Sequence, residues 1–338
     1  MIEFLARLAR GEGLTEEEAA QAMELIMRGE ATPSQIAGLI MALRVKGESA
    51  EEIAGLARAA RARATPIEVP DPGSLLDVVG TGGDGSRSFN ISTVSAIVAA
   101  ACGARVAKHG NRAASSACGS ADVLEALGVR IDLAPEGVAS CIREVGIGFL
   151  FAPRFHPSFR FAAVPRRELG VRTVFNVLGP LCNPAGAGRY ALGVPEPGLA
   201  PLMADVLLRL GAERVLVFCA DGLDELSLAG PSLVIEALDG RRREYQLDPD
   251  QLGLRRASLE ALRGGSPVDN AAIARAVLEG EHGPHRDVVL LNASAALRAA
   301  GLVEDWHAGL ELAAGAIDSG RAAAVLERWS CHSQAVGR

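Results

Sequence analysis

Lysine is almost missing from this chain: of its 34 lysine and arginine residues, only Lys46 and Lys108 are lysine. Where arginine has displaced nearly every exchangeable lysine, Lys108 stands out. Positive charge is short as well, because 41 acidic residues leave a formal net charge of -7. That balance excludes a general electrostatic grip on nucleic acid or an anionic membrane, so any anionic ligand needs a local site. No stretch approaches the roughly 18 uninterrupted apolar residues of a membrane span. The N-terminus lacks the basic-then-apolar order of a secretory signal, which makes the cytoplasm the expected location. The six cysteines (Cys102, Cys118, Cys141, Cys182, Cys219, Cys331) have no paired spacing. This excludes a zinc ribbon or a disulfide framework and predicts reduced, mostly buried thiols. What remains is a 338-residue globular chain, 49% hydrophobic, with a sizeable core in one large domain or two.

Three capping boxes in succession predict helices at the start: Thr15 with Glu18, Thr32 with Gln35, and Ser49 with Glu52. Apolar residues follow each cap at helical spacing, and Gly29 and Gly47 stand where left-handed C-caps belong. A proline-rich stretch at 66–73 ends this helical unit. Beyond it, short apolar runs at 75–79, 105–107, 148–151, 190–194 and 215–219 alternate with amphipathic helical segments, the pattern of an α/β domain with a mostly parallel sheet. The Asp239-Gly240 pair predicts a hairpin between 234–236 and 244–246, and 288–291 reads as a late buried strand. The polar clusters fall just after predicted strands, where open α/β sheets hold ligands.

The first cluster is GTGGDGSRSFNIST (80–93). It formally contains GxGxxG, yet no helix follows the glycines directly and no acid stands about twenty residues on, so the dinucleotide match is weak. The glycines instead suit a wide turn whose amides approach an anion, with Asn90, Ser92 and Thr93 at the next helix N-terminus adding donors. A glycine-rich turn with an ordinary cap is the plainer alternative. The second cluster, KHGNRAASS (108–116), crowds Lys108, His109, Asn111, Arg112, Ser115 and Ser116 on one strand end. Such a set suits phosphate, and a lysine ammonium is a mobile point charge that follows a phosphate through a reaction. Taken singly, His109 reads as a packed histidine and Arg112 as a solvated charge. Ser120 fits a helix cap and an anion contact equally.

The third cluster, DGLDEL, sets Asp224 beside Glu225. Adjacent carboxylates repel, so in a ligand cleft a divalent cation accounts for them, and oxygen ligands near phosphate indicate Mg²⁺; a solvated acidic turn is the alternative. In the fourth stretch (155–184), His156, Arg166, Arg167 and Arg172 precede a Gly-Pro turn. One of these arginines suits bidentate binding of a carboxylate, and the neighbouring phenylalanines suit an aromatic acid.

Together the motifs GTGGD (80–84), NIST (90–93), KHGNRAASS (108–116), GSAD (119–122), RRELGVRTVFNVLGPLCNP (166–184) and DGLDE (221–225) resemble those of the anthranilate phosphoribosyltransferase family, in family order. The resemblance implies a nucleoside phosphorylase-like transferase fold. In it a small all-helical domain (1–70, joined in space by part of 160–185) is hinged to a larger α/β catalytic domain (71–338). It implies a phosphoribosyl pyrophosphate site made from Gly80, Gly83, Asp84, Ser88, Asn90, Ile91, Ser92, Thr93, Lys108, His109, Gly110, Asn111, Arg112, Ala113, Ala114, Ser115, Ser116 and Ser120. It places anthranilate against Gly80, His109, Asn111, His156 and Arg166, and Mg²⁺, two ions, on Ser92, Asp224 and Glu225. Arg160, and Val164-Pro165 in transposed order, depart from the commoner family wording.

The implied chemistry needs no protein nucleophile. Lys108 is the expected catalytic residue, stabilising the charge of the departing pyrophosphate. A homodimer joined through the helical domains is implied, with neither nucleic acid nor membrane as a partner. A pyrimidine nucleoside phosphorylase shares the architecture, but Asn111 after Lys-His-Gly and the Asp224-Glu225 pair favour pyrophosphate and metal. A non-catalytic nucleic-acid-binding relative would show a basic face and eroded acids.

Overall fold

The computed structural model describes residues 1–113 and 117–337. Its N-terminal helices α1 (Ile2–Ala9), α2 (Glu16–Met27), α3 (Pro33–Lys46) and α4 (Ala50–Ala62) pack as one unit. All three capping boxes form, each N-cap hydroxyl accepting from the amide three residues on. Gly29 takes the left-handed conformation at φ 73°, whereas Gly47 combines φ 89° with ψ 122°, outside the helical left-handed well. The second lysine has a local explanation: Lys46 Nζ lies 2.9 Å from the buried Glu52 carboxylate, which also accepts the amides of Leu14 and Ser49.

The remaining elements are β1 (Leu76–Gly80), α5 (Ile91–Ala101), β2 (Val106–Gly110), α6 (Ser120–Ala126), α7 (Pro135–Val145), β3 (Ile147–Phe151), α8 (Ala152–Phe155), α9 (Arg160–Leu169), α10 (Phe175–Leu181) and β4 (Arg189–Gly193). After them come α11 (Leu199–Arg209), β5 (Arg214–Cys219), β6 (Ser232–Leu238), β7 (Arg241–Leu247), α12 (Pro267–Leu278), α13 (Pro284–Ala299), α14 (Trp306–Asp318) and α15 (Arg321–Val336). The seven-stranded sheet has the order β3-β2-β1-β4-β5-β6-β7. Strands β1 to β5 run parallel, and β6 and β7 close one edge antiparallel. Asp239 (φ 51°) and Gly240 (φ 74°) make the hairpin turn as expected, both in the left-handed region that such a tight turn requires.

The expected late strand at 288–291 is instead part of α13. Its neighbours are buried on every side, from Val288 through Ala299, because the helix lies between α5, α14 and the sheet. A short apolar run carries no period that separates a strand from an all-round buried helix. Between the helical unit and the sheet, α9 packs on α3 and α2, and α10 on α4. Arg61 of α4 reaches across to the Leu181 carbonyl (2.5 Å) and the Tyr190 hydroxyl (3.2 Å).

Candidate active site

Strand order reverses direction at β1: the chain proceeds through β2 and β3 on one side, then crosses to β4 and β5 on the other. Such a switch point opens a crevice at the carboxyl ends of the strands. Register places Gly80 opposite Gly193, and Gly193 opposite Phe218, so the loops after β1, β4 and β5 leave from one level. The contact there requires glycine. Side chains at Gly80 or Gly193 would run into Asp224, whose carboxylate accepts the Gly82 amide at 2.6 Å. Gly82, Gly83 and Gly85 then turn the loop with φ near 71–72°. Asp84 accepts the Ser86 amide, and Ser86 donates to Ser88 (3.2 Å).

Asn90 begins α5, although its side chain ties sideways to the Cys118 carbonyl (3.2 Å) and to Asn270 (2.9 Å) rather than capping the helix. Ile91 and Thr93 are buried. Ser92 donates its amide to Glu225 at 3.0 Å, so a helix N-terminus and a carboxylate meet at the crevice. Asp224 and Glu225 both have raised proton affinity. Burial is the main cause in each; repulsion from Asp84 comes next for Asp224, and repulsion from Asp224 comes next for Glu225. A half-buried and a buried carboxylate that repel one another, with Ser92 beside them, form an oxygen donor set that suits a hard divalent cation. Among the described residues no three His, Cys, Asp or Glu side chains close a metal centre by themselves.

Adjacent strand residues point to opposite faces, so β2 delivers two chemistries. Lys108 is 2% exposed, and its ammonium donates to the Val78 carbonyl (2.6 Å) and, more distantly, to Ser92 Oγ (3.4 Å). It is therefore a cation held under the crevice by these two partners, rather than the mobile point charge its residue type suggested. Burial lowers its proton affinity, and Asp77, Glu225 and Asp224 oppose that effect. Asp77, fully buried in β1 with its carboxyl pushed up to about 6 by desolvation, accepts the His109 amide and Asn183 Nδ2 (2.8 Å).

On the other face His109 Nδ1 donates to the Gly179 carbonyl (3.0 Å), and His156 Nε2 donates to the Cys182 carbonyl (2.8 Å). The rings lie 5.1 Å apart, with Phe159 and Phe175 following edge to face. Burial, followed by the nearby His156, pushes His109 down to about 3, and burial pushes His156 down to about 4. Arg166 lies over the Phe175 ring at 5.3 Å, with its proton affinity lowered by burial. Among the described residues no hydrogen bond or ion pair engages its guanidinium.

The rest of the second cluster turns outward. Gly110 abuts Ser120 and Phe149, so a side chain there would clash. The Asn111 carbonyl accepts the Ser120 hydroxyl (3.2 Å), and Gly119, not Ser120, is the N-cap of α6. Arg112 pairs with Asp122 (2.8 Å) and Glu125 (2.5 Å), and the Ala113 amide donates to Asp122 (3.0 Å). Ala114, Ser115 and Ser116 lie outside the described residues.

Five of the eight buried side-chain polar atoms without a partner among the described residues line these elements: Thr81 Oγ1, Thr93 Oγ1, His109 Nε2, Arg172 NH2 and Thr173 Oγ1. Buried polar groups rarely remain unpaired unless a ligand or water completes them. No local sequence pattern singles out Thr81, Thr173 or Asn183, whereas for Asp77 an acid inside the apolar run LLDVV is a visible signal.

The model of the glycosyl transferase family, helical bundle domain, matches residues 2–64, and that of the glycosyl transferase family, a/b domain, matches 72–323. Anthranilate phosphoribosyltransferase 2 of Streptomyces coelicolor is 60% identical over 94% of this chain and 95% of its own; the Moorella thermoacetica enzyme is 53% identical over 96% and 95%. Among solved structures, the Thermus thermophilus anthranilate phosphoribosyltransferase matches with TM-score 0.93 at 51% identity, covering 98% of this chain and 99% of that one. The Saccharomyces cerevisiae enzyme in complex with PRPP and Mg matches with TM-score 0.90 at 29% identity, covering 99% and 98%. With both parts of the chain matched in order and the motif loops gathered at the carboxyl ends of the central strands, the chain belongs to the anthranilate phosphoribosyltransferase family.

Proposed function

We propose that the chain transfers the phosphoribosyl group of 5-phosphoribosyl 1-pyrophosphate (PRPP) to the amine of anthranilate, giving N-(5-phosphoribosyl)anthranilate and pyrophosphate, in tryptophan biosynthesis. The observation that carries this reading is the convergence of the glycine loop, the α5 N-terminus and the Asp224-Glu225 pair on one crevice floored by Lys108. In the reaction the bond from ribose C1 to the pyrophosphate oxygen breaks, a bond from the amine nitrogen to C1 forms, and the amine proton passes to solvent. Loop amides and Lys108 stabilise the charge gathering on pyrophosphate. Ser92, Asp224 and Glu225 would hold Mg²⁺, two ions in our reading, which neutralises pyrophosphate charge when bound.

Arg166 suits the anthranilate carboxylate, since a partly buried guanidinium stacked on Phe175 keeps its planar fork free. His109 is fixed by Gly179 as the tautomer with a bare Nε2, which can accept an N–H of the aromatic amine and so orient it. Neither histidine carries a proton to spare near neutrality, and a neutral aromatic amine needs no base. Nitrogen-detected NMR across pH 5–8 should accordingly show no titration of His109 or His156. A midpoint near the ordinary histidine value would remove this role.

The helical unit 1–70, with part of 160–185, is taken to hinge against 71–338, in line with α9 packing on α3 and with the bonds of Arg61. The working form is taken to be a cytoplasmic homodimer joined through that unit, where Ile2 and Val45 are exposed and Phe4, Ala20, Leu25 and Ala59 line a groove of about 530 Å³. The reaction is tested by following anthranilate fluorescence with PRPP and Mg²⁺. Rapid loss abolished by chelator is expected; no metal-dependent loss overturns the reading.

A further inference from the structure

Arg172 stands in the short connection between α9 and α10, two residues after Gly170 ends α9 in the left-handed conformation. One guanidinium nitrogen, NH1, donates to two successive backbone carbonyls of the glycine loop, Gly82 at 3.0 Å and Gly83 at 2.9 Å. The fit is close, because a methyl group at Gly83 would meet NH1 at 2.5 Å. The second terminal nitrogen, NH2, is buried without a partner. Arg172 belongs to a segment whose preceding helix rests on α3 and α2 of the helical unit, whereas the loop it grips leaves β1 of the sheet. Its two hydrogen bonds thus cross from the side that carries Arg166 to the side that carries Gly82, Gly83 and Asp84.

We propose that Arg172 is a positioning residue that couples the two halves of the site: it holds the glycine loop in its binding shape only while the α9–α10 segment is seated, so that each substrate strengthens binding of the other. The proposal rests on the reading given under Proposed function, with the acceptor on the Arg166 side and the pyrophosphate on the loop side. The loop needs such a brace. Gly82 and Gly83 are both left-handed, and glycine loses more conformational freedom on ordering than any other residue. Fixing their carbonyls fixes where the intervening amides face. Coupling of this kind is reciprocal for binding free energies, which makes it measurable from either side.

The test uses the full chain and non-reacting probes: anthranilate, followed by its fluorescence, with and without Mg²⁺ and pyrophosphate. In the wild type, pyrophosphate should tighten anthranilate binding about fivefold or more. In Arg172→Ala that ratio should fall toward one. Steady-state rates should show the KM for PRPP raised about tenfold, the effect of losing charged hydrogen bonds that align the loop, with kcat per folded molecule little changed. Arg172→Lys, which keeps the charge and donors without the planar fork, should recover part of the ratio; it also serves if the alanine variant folds poorly. A role confined to folding would instead lower kcat and melting temperature and leave KM and the ratio alone. A ratio that is already one in the wild type, or unchanged in Arg172→Ala, overturns the coupling. Failure of the wild type to bind anthranilate or turn over at all would count against the reading of the reaction instead.

Discussion

Replacing Asp224 by asparagine is expected to cut turnover by about two to three orders of magnitude while leaving the melting temperature unchanged or higher. The two effects separate because the carboxylate is costly to the folded chain. Asp224 is driven toward its protonated form by burial and by repulsion from Asp84, and its neighbour Glu225 by burial and by Asp224 itself. An amide keeps the shape and can still accept the Gly82 amide, so the contact that positions the loop survives. What disappears is the negative charge suited to a divalent cation. Glu225→Gln should behave in the same way, with its oxygen still available to the Ser92 amide. Thermal unfolding in parallel with initial rates at several Mg²⁺ concentrations checks the pair. A variant that melts lower and turns over normally would contradict the assignment of these acids to the metal.

Lys108→Met should lose both activity and stability. Its ammonium is buried, donates to Val78 and Ser92, and offsets the charge of Asp77 and Glu225. Removing it leaves the buried Val78 carbonyl without this donor and the nearby carboxyls less compensated, a loss of about 1–3 kcal/mol. Turnover should fall about a hundredfold as the cation under the leaving group is lost. Adding Asp77→Asn tests the origin of the stability loss: with that buried carboxyl made neutral, part of the stability should return, the amide keeping one of the two oxygens that accept from the His109 amide and Asn183, while turnover stays low. Denaturant titration of the single and double variants reads this as a non-additive cycle. Wild-type turnover in Lys108→Met, with PRPP affinity unchanged, would contradict the charge role.

The helical start and the sheet were legible because their signals are local. Each capping box is a four-residue pattern that forms whatever surrounds it, and strand runs between helical segments imply parallel pairing. The run at 288–291 failed because its period was hidden by burial on all sides, which only the packing of α13 discloses. The same limit applies within the site. Lys108 was identified by its scarcity, yet its place beneath the loop depends on β2 lying beside β1. Arg112, grouped with the anion donors, instead turns to Asp122 and Glu125. Arg172 was one of several arginines in a row, and nothing short of the folded loop singles out the one that meets Gly82 and Gly83.

Phosphorus NMR of the complete reaction tests the central claim most directly. With PRPP, anthranilate and Mg²⁺, the 1-pyrophosphate signals should give way to free pyrophosphate in one-to-one proportion to the anthranilate consumed, and chelation should stop both. Pyrophosphate release without loss of anthranilate, or ribose cleavage that requires inorganic phosphate and a nucleoside instead, would contradict it.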